Sequence, residues 1–321
     1  VRVLITGGLG LIGSELADKA AEAGWVIHVI DDRSGNVVDH AERAWSHDFE
    51  KVEQVSADWD GLHHGEPPPD VVIHCAAPVG PVGILNRRVL DDCYTATRAA
   101  IALARRFAAR LVVLSSSEVY GTVNPQGSLV IPDDWSHRSE YAVGKVVTEQ
   151  LARRHHAETG LPTAVIRPWN VTGPRQSAAK GFVFPRMAAQ AVAGRPVTVY
   201  RPGTQQRAFM AVEDFASVLV DGLLEQPTTD PEWQATPIDA AAPDNCVSMS
   251  TLALMFVEHP LSLSREWTSI NPRVEHGPSF REAAAGTKLP MSDPAIKGTT
   301  PLVEMVNRAM LAAADRVKLA A

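Results

Sequence analysis

Through the first half of the chain, short runs rich in Val, Ile and Leu alternate with longer Ala-rich stretches whose apolar residues recur at helical spacing. The short runs predict strands at Arg2–Thr6, Val26–Asp31, Val52–Ser56, Val71–His74, Leu111–Ser115 and Thr163–Arg167. Most are apolar along nearly their whole length instead of at every second residue, so both faces of each strand should be covered. The longer stretches predict helices near Leu11–Ala23, Leu85–Ala108 and Tyr141–Thr159. Strand and helix in this alternation are the rhythm of right-handed βαβ crossovers, which build a parallel sheet.

After Arg167 the pattern loosens, and Gly and Pro separate the pieces. Helices are expected at Phe182–Ala193, Val212–Glu225, Met249–Val257 and Pro301–Ala314, with strands near Val197–Tyr200, Arg207–Met210 and Thr236–Asp239. The chain of 321 residues suits about two domains at roughly 150 residues each. The expected fold class is α/β: a Rossmann-type doubly wound parallel sheet over residues 1–168, with a smaller C-terminal α/β substrate lobe over 169–321 and a chain able to cross between them.

Composition narrows the functions. With 45% hydrophobic and 21% charged residues the chain is an ordinary globular protein. A net charge of −7 and 6% aromatics argue against a nucleic-acid partner, which calls for a basic face. No apolar run reaches membrane-spanning length, and the N-terminal stretch VRVLITGGLGLIG, broken by glycines, reads as strand and turn instead of a signal peptide. Cys75, Cys93 and Cys246 are odd in number and widely spaced, which fits a reducing cytoplasm with no disulfide framework or zinc site. The pairs His63-His64 and His155-His156 are adjacent instead of one helical turn apart, so they are expected on the surface and not on a metal.

The chemistry begins at Thr6-Gly7-Gly8-Leu9-Gly10-Leu11-Ile12-Gly13, where the first strand turns into the first helix. Gly7, Gly10 and Gly13 permit a tight turn, and the backbone N–H groups at the helix start, by Leu11 and Ile12, can approach a pyrophosphate. About twenty residues on, the second strand ends at Asp31-Asp32, where a carboxylate can accept from both adenosine ribose hydroxyls. An acid there repels a 2′-phosphate, so NAD is favoured over NADP, although the neighbouring Arg33 would suit that phosphate. Asp58, just after the third strand, is placed to reach the adenine. Farther along, Tyr141 and Lys145 stand four residues apart, hence on one helix face, where an ammonium stabilises a tyrosinate and lowers the tyrosine pKa. Ser115, Ser116, Ser117 and Glu118 follow the fifth strand, at the sheet edge where doubly wound folds bind ligands.

TGGLGLIG, Asp31, HCAAP (74–78), SSSEVYG (115–121), YAVGK (141–145), RPWNVTGPRQ (167–176) and GRPVTVYRPGTQQRAFMAVEDFA (194–216) together resemble the extended short-chain dehydrogenase/reductase family, specifically its nucleotide-sugar epimerases, dehydratases and decarboxylases. The resemblance covers about 220 residues in six or more ordered motifs. It implies oxidation of a sugar carbon by NAD with Tyr141 taking the hydroxyl proton, Lys145 holding the nicotinamide ribose, and Ser116 with Ser117 on the reacting oxygen. It extends the cofactor set to Ser34, Trp59, Ala76, Ala77, Ser115 and Pro168, and assigns the substrate to Pro78, Asn170, Arg207 and Arg273. It also implies a homodimer through the helices near Leu85–Ala108 and Tyr141–Thr159.

Glu118 bears on the reaction, because a 4-keto group acidifies the C5 proton and a carboxylate can remove it, as dehydration requires. Ser-Glu at this corner also resembles the uronic-acid decarboxylases. Those carry an arginine before a Lys-Pro in the tail, where this chain has Glu275-His276-Gly277-Pro278, so elimination of water gains ground. Two further departures are Cys93, where the family usually has asparagine, and Arg201-Pro202-Gly203 in place of Gly-Asp-Gly. A 4-epimerase would need no Glu118, and an inactive NAD-sensing protein would have no need of Tyr141 and Lys145.

Overall fold

The architecture was analysed in a computed structural model, which describes residues 1–31, 67–81, 84–85, 88–120, 137–271, 294 and 296–320. Strands β1 (Arg2–Thr6), β2 (Val26–Ile30), β3 (Val71–His74), β4 (Arg110–Leu114) and β5 (Thr163–Pro168) alternate with helices α1 (Leu11–Glu22), α2 (Val89–Phe107) and α3 (His137–Thr159). There follow β6 (Val171–Thr172), α4 (Val183–Val192), β7 (Val197–Tyr200), β8 (Gln206–Ala208), β9 (Met210–Ala211), α5 (Val212–Ser217), β10 (Gln234–Ala241), β11 (Cys246–Ser248), α6 (Met249–Val257), β12 (Trp267–Ile270), β13 (Ile296–Lys297) and α7 (Leu302–Ala320). Seven strands form one sheet in the order β13-β10-β5-β4-β3-β1-β2, every pairing parallel. This is a Rossmann-like α/β fold. The predicted strand Val52–Ser56 lies outside the described residues.

The continuous apolar strands are explained by two covered faces. Val3, Ile5, Val71, Ile73, Val112 and Ile166 pack with α1 and with Phe215 and Leu219 on one side. Leu4, Val72, Leu111, Val113 and Val165 pack with Ala100, Leu103 and Ala152 of α2 and α3 on the other. Each such side chain removed from water stabilises the fold by about 1.5–3 kcal/mol. Helix α2 starts later than its periodicity suggested, at Val89, where the Glu140 carboxylate of α3 accepts from Leu90 N at 3.1 Å. It ends at Ala108 in the left-handed region, φ 50°.

The second half does not stay in one lobe. β10 and β13 return to the main sheet, and the predicted helix Val212–Glu225 lies against its α1 face. That helix is α-helical only to Ser217; a π turn at Val218–Gly222 and a 3₁₀ turn at Leu223–Glu225 complete it. A second core of Phe184, Met187, Val199, Phe209, Phe256 and Met310 joins α4, α6, α7 and β7. His155 corrects its surface reading: α3 packs on α2, so the ring is buried and accepts from Arg105 Nε at 3.2 Å. Burial, with the Arg105 charge, lowers its pKa to about 4. His63-His64 lie outside the described residues. Among the described residues no cluster of His, Cys, Asp and Glu could hold a metal ion, and no helix is long and apolar enough to cross a membrane.

Candidate active site

A cavity of about 710 Å³ opens beyond the C-terminal ends of β1 to β5, between the sheet and the second core. Its floor is the glycine turn. Gly7 has φ +70°, and a Cβ there would stand 2.6 Å from Ala76 N; at Gly13 a Cβ would stand 2.3 Å from Gly7 O. Only hydrogen at both positions lets the turn lie against the end of β3 and lets α1 start on top of it. The first turn of α1 carries no acid, and Gly10 at its N-cap brings no side-chain acceptor, so its positive end faces the cavity by Leu11 and Ile12. Asp31, ending β2, accepts from Leu9 N at 3.0 Å, fastening the turn while its carboxylate stands at the cavity wall. A cradle that a Cβ would fill, a helix N-terminus and a carboxylate one strand away fit the pyrophosphate and ribose of a dinucleotide.

Above the cradle stand Ser115, Ser116, Ser117, Glu118, Tyr141 and Lys145, all lining the same space. Lys145 is buried and donates from Nζ to Leu114 O at 2.7 Å, with Nζ 5.8 Å from the Tyr141 ring centre. Burial lowers its pKa against the opposing pull of Cys93, Cys75 and Glu149. Tyr141 departs from the expectation of a lowered pKa. Burial pushes its phenol well above the ordinary value, reinforced by Cys93 and Glu118 and opposed by a hydrogen bond with Ser116. Desolvation of the phenolate is the largest of these effects. Cys93 belongs to this packing: it is buried beside Tyr141, and a Cβ on Gly144 would stand 3.1 Å from its Sγ.

Two polar chains, the first buried and the second partly so, underlie the site, and the sequence reading had neither. In the first, Thr6 Oγ1 lies 2.8 Å from His74 Nδ1, His74 Nε2 lies 3.2 Å from Thr97 Oγ1, Thr97 Oγ1 lies 3.0 Å from Thr148 Oγ1, and Thr148 donates to Gly144 O at 3.1 Å. In the second, Ser115 Oγ donates to Glu149, Glu149 pairs with Arg167, and Arg167 donates to Tyr120, which donates to Asp239. Ser115, expected at the cofactor, thus commits its hydroxyl to Glu149. The available signals were an arginine ending the apolar strand TAVIRP and a glutamate one turn after Lys145.

The far wall is different in charge. Arg186, Arg201 and Arg207 line it, and among the described lining residues from Asn170 onward there is no Asp or Glu. Arg207 is buried on β8 and donates to Gln206 O at 2.7 Å, while Asn170 Nδ2 donates to Ala208 O at 2.9 Å, holding the two predicted substrate residues side by side. Arg186 donates to Thr198 O at 2.9 Å and stacks on Tyr200, 4.5 Å from the ring centre. Trp169 is packed against Tyr120 with ring centres 5.7 Å apart. Ala76, Ala77, Pro78 and Pro168 also line the cavity, whereas Asp32, Arg33, Ser34, Asp58, Trp59 and Arg273 lie outside the described residues.

The sequence model of the NAD dependent epimerase/dehydratase family matches residues 3–232. The chain belongs to this family. It is 33% identical over 229 residues to UDP-glucuronic acid decarboxylase 1 of Xenopus tropicalis, covering 68% of this chain and 52% of that protein. It is 32% identical over 246 residues to UDP-glucuronic acid decarboxylase 3 of Arabidopsis thaliana, covering 70% and 65%. The chain thus spans about half to two thirds of the length of these epimerase/dehydratase relatives. Among solved structures, UDP-glucose 4-epimerase of Thermotoga maritima superposes with a TM-score of 0.75 at 20% identity over 99% of this chain and 100% of that one. The dTDP-glucose 4,6-dehydratase of Bacillus anthracis gives 0.69 at 19% identity over 96% of each chain. At these identities the structures share the epimerase/dehydratase fold.

Proposed function

We propose that the protein is an NAD-dependent enzyme that modifies a nucleotide-linked sugar through a transient 4-keto intermediate, with Glu118 assisting loss of water or carbon dioxide. One observation carries the reading: a single cavity joins the glycine cradle, the Tyr141, Lys145, Ser116 and Glu118 cluster, and an arginine-lined wall free of carboxylates among its described residues. In a protein of net charge −7, such a wall suits a small anion, and charge-assisted arginine contacts suit a diphosphate. Similarity to the UDP-glucuronic acid decarboxylases supports the same substrate class.

The roles follow from position. Gly7, Gly10, Leu11, Ile12, Gly13 and Asp31 hold the dinucleotide, with Ala76, Ala77 and Pro168 beside it; Asp31 favours NAD over NADP because a 2′-phosphate would meet its charge. NAD, when bound, supplies the hydride acceptor and donor. Tyr141 exchanges the proton of the sugar hydroxyl at its phenol oxygen, Ser116 and Ser117 orient that oxygen, and Lys145 holds positive charge 5.8 Å from the Tyr141 ring. Asn170 and Arg207 take the diphosphate and Pro78 borders the sugar. Residues 1–168 thus carry the cofactor and the proton-transfer pair, and residues 169–321 the substrate contacts. The protein acts in the cytoplasm as a homodimer through α2 and α3.

A second reading, 4-epimerisation, uses the same Tyr141, Lys145 and Ser116 and leaves Glu118 idle. The test is incubation with NAD and a panel of nucleotide sugars, followed by mass. A product lighter by one water or one carbon dioxide, lost in Glu118→Gln, is expected. A product of unchanged mass that survives Glu118→Gln selects the epimerase, and tight NAD binding with no product from any sugar selects a binding protein.

A further inference from the structure

The turn bearing Ser116, Ser117 and Glu118 is a short 3₁₀ helix over Ser117–Tyr120, with Val119 N donating to Ser116 O and Glu118 N to Ser116 Oγ, both at 3.2 Å. It is tied at both ends to one partly buried charged network. At its start Ser115 Oγ donates to Glu149 Oε1 at 2.6 Å. At its end the Tyr120 hydroxyl accepts from Arg167 Nη1 at 2.9 Å and donates to Asp239, with Oδ2 at 2.9 Å and Oδ1 at 3.0 Å. Arg167 closes the loop with two donors to Glu149, each at 2.7 Å, and lies over the Tyr120 ring, 4.9 Å from its centre.

The network draws on three elements. Glu149 lies on α3, four and eight residues after Lys145 and Tyr141, hence on their face of the helix. Arg167 lies near the C-terminal end of β5, and Asp239 lies on β10, paired with Arg167 in register. The side chain of Glu149 is 4% exposed and that of Arg167 19%. A buried pair of this kind adds little stability over apolar residues of the same size; what it offers is fixed geometry. Here the fixed quantity is where the 115–120 turn sits relative to the helix of Tyr141 and Lys145.

We propose that Tyr120 and Asp239 are positioning residues for Glu118, holding its turn in the register that the elimination step needs. The inference rests on the reaction assigned above. Oxidation of the sugar draws on Tyr141 and Lys145 of α3 and on Ser116 and Ser117 at the start of the turn, the end that Ser115 fastens to Glu149, whereas the later loss of water or carbon dioxide draws on Glu118, two residues from the Tyr120 anchor. Loosening the Tyr120 anchor therefore separates the two steps.

The test is Tyr120→Phe with excess NAD as oxidant, reading by mass the ratio of oxidised sugar, lighter by two hydrogens only, to completed product. The ratio should rise roughly tenfold, since small misplacements of a catalytic group cost at least that much. Substrate consumption and NAD affinity should hold, and Glu118→Gln should give the same signature. Asp239→Asn, which keeps an acceptor for the Tyr120 hydroxyl, should raise the ratio less, and it serves as the test if Tyr120→Phe does not fold. An unchanged ratio, or oxidation and elimination falling together, overturns the positioning role while leaving the proposed reaction in place. A wild-type protein that binds NAD yet converts no nucleotide sugar overturns the reaction and this inference with it.

Discussion

Protonation of His74 should destabilise this protein more than its single charge would suggest. Thr148 has one hydroxyl proton and spends it on Gly144 O at 3.1 Å, so the Thr97 hydroxyl must be the donor in its 3.0 Å contact with Thr148. Thr97 then accepts from His74 Nε2–H, which leaves Nδ1 as a bare acceptor for the Thr6 hydroxyl at 2.8 Å. The chain of bonds fixes one neutral tautomer. A second proton at Nδ1 would face the Thr6 hydroxyl and put a charge in the interior near the Lys145 ammonium. Burial, aided by Lys145, accordingly lowers the His74 pKa from 6.5 to about 3. Because the folded protein binds this proton less tightly than the unfolded chain, the stabilisation is complete above about pH 6.5 and is lost as pH falls toward about 3. At ~1.4 kcal/mol per pH unit the full effect is roughly 5 kcal/mol, of which roughly 3 kcal/mol is lost by about pH 4.5. Guanidinium unfolding of the wild type and of His74→Gln across pH 8 to about 4.5 measures it. Gln keeps a donor toward Thr97 and does not titrate, so the variant should start less stable yet lose stability more slowly on acidification. Parallel pH profiles for the two proteins would refute the neutral-tautomer argument.

Three other outcomes are expected. Glu149→Gln deprives the half-buried Arg167 of its charged partner and should cost roughly 1.5–3 kcal/mol in denaturant unfolding, while Glu149→Leu combined with Arg167→Met should recover part of that loss. Gly13→Ala drives a Cβ to 2.3 Å from Gly7 O, so NAD affinity by calorimetry should fall more than about tenfold, equivalent to ~1.4 kcal/mol. Arg207→Gln should weaken binding of a nucleoside diphosphate by roughly 10- to 100-fold, the value of a charge-assisted hydrogen bond, and leave the corresponding nucleoside nearly unaffected.

The elements that proved legible in the sequence were those governed by local pattern. β1, β3, β7 and α6 fall on the residues their periodicity indicated, and the described members of the glycine turn, the β2 acid and the Tyr–Lys pair line one cavity. The elements that shifted did so for nonlocal reasons. α2 starts at Val89 where a carboxylate from α3 meets it, and the helix after Val212 loosens into a π turn over the sheet. The strand near Thr236–Asp239, assigned to a separate lobe, lies beside β5 in the main sheet, since pairing partners are set by packing and not by the strand's own residues. His155 looked like a surface residue because adjacency of two histidines says nothing of which face of α3 meets α2.

By itself, then, the sequence determined the parallel α/β architecture, the cradle that only hydrogen can line, and the residue types of the proton-transfer pair, because each is a property of spacing along a strand or a helix. The tertiary structure alone decided protonation and placement. It partly desolvated Tyr141 so that its pKa rises, turned Lys145 to the Leu114 carbonyl, and linked Glu149, Arg167, Tyr120 and Asp239 around the Glu118 turn. Those outcomes depend on desolvation and on partners up to 119 residues apart in the chain, which no local pattern encodes.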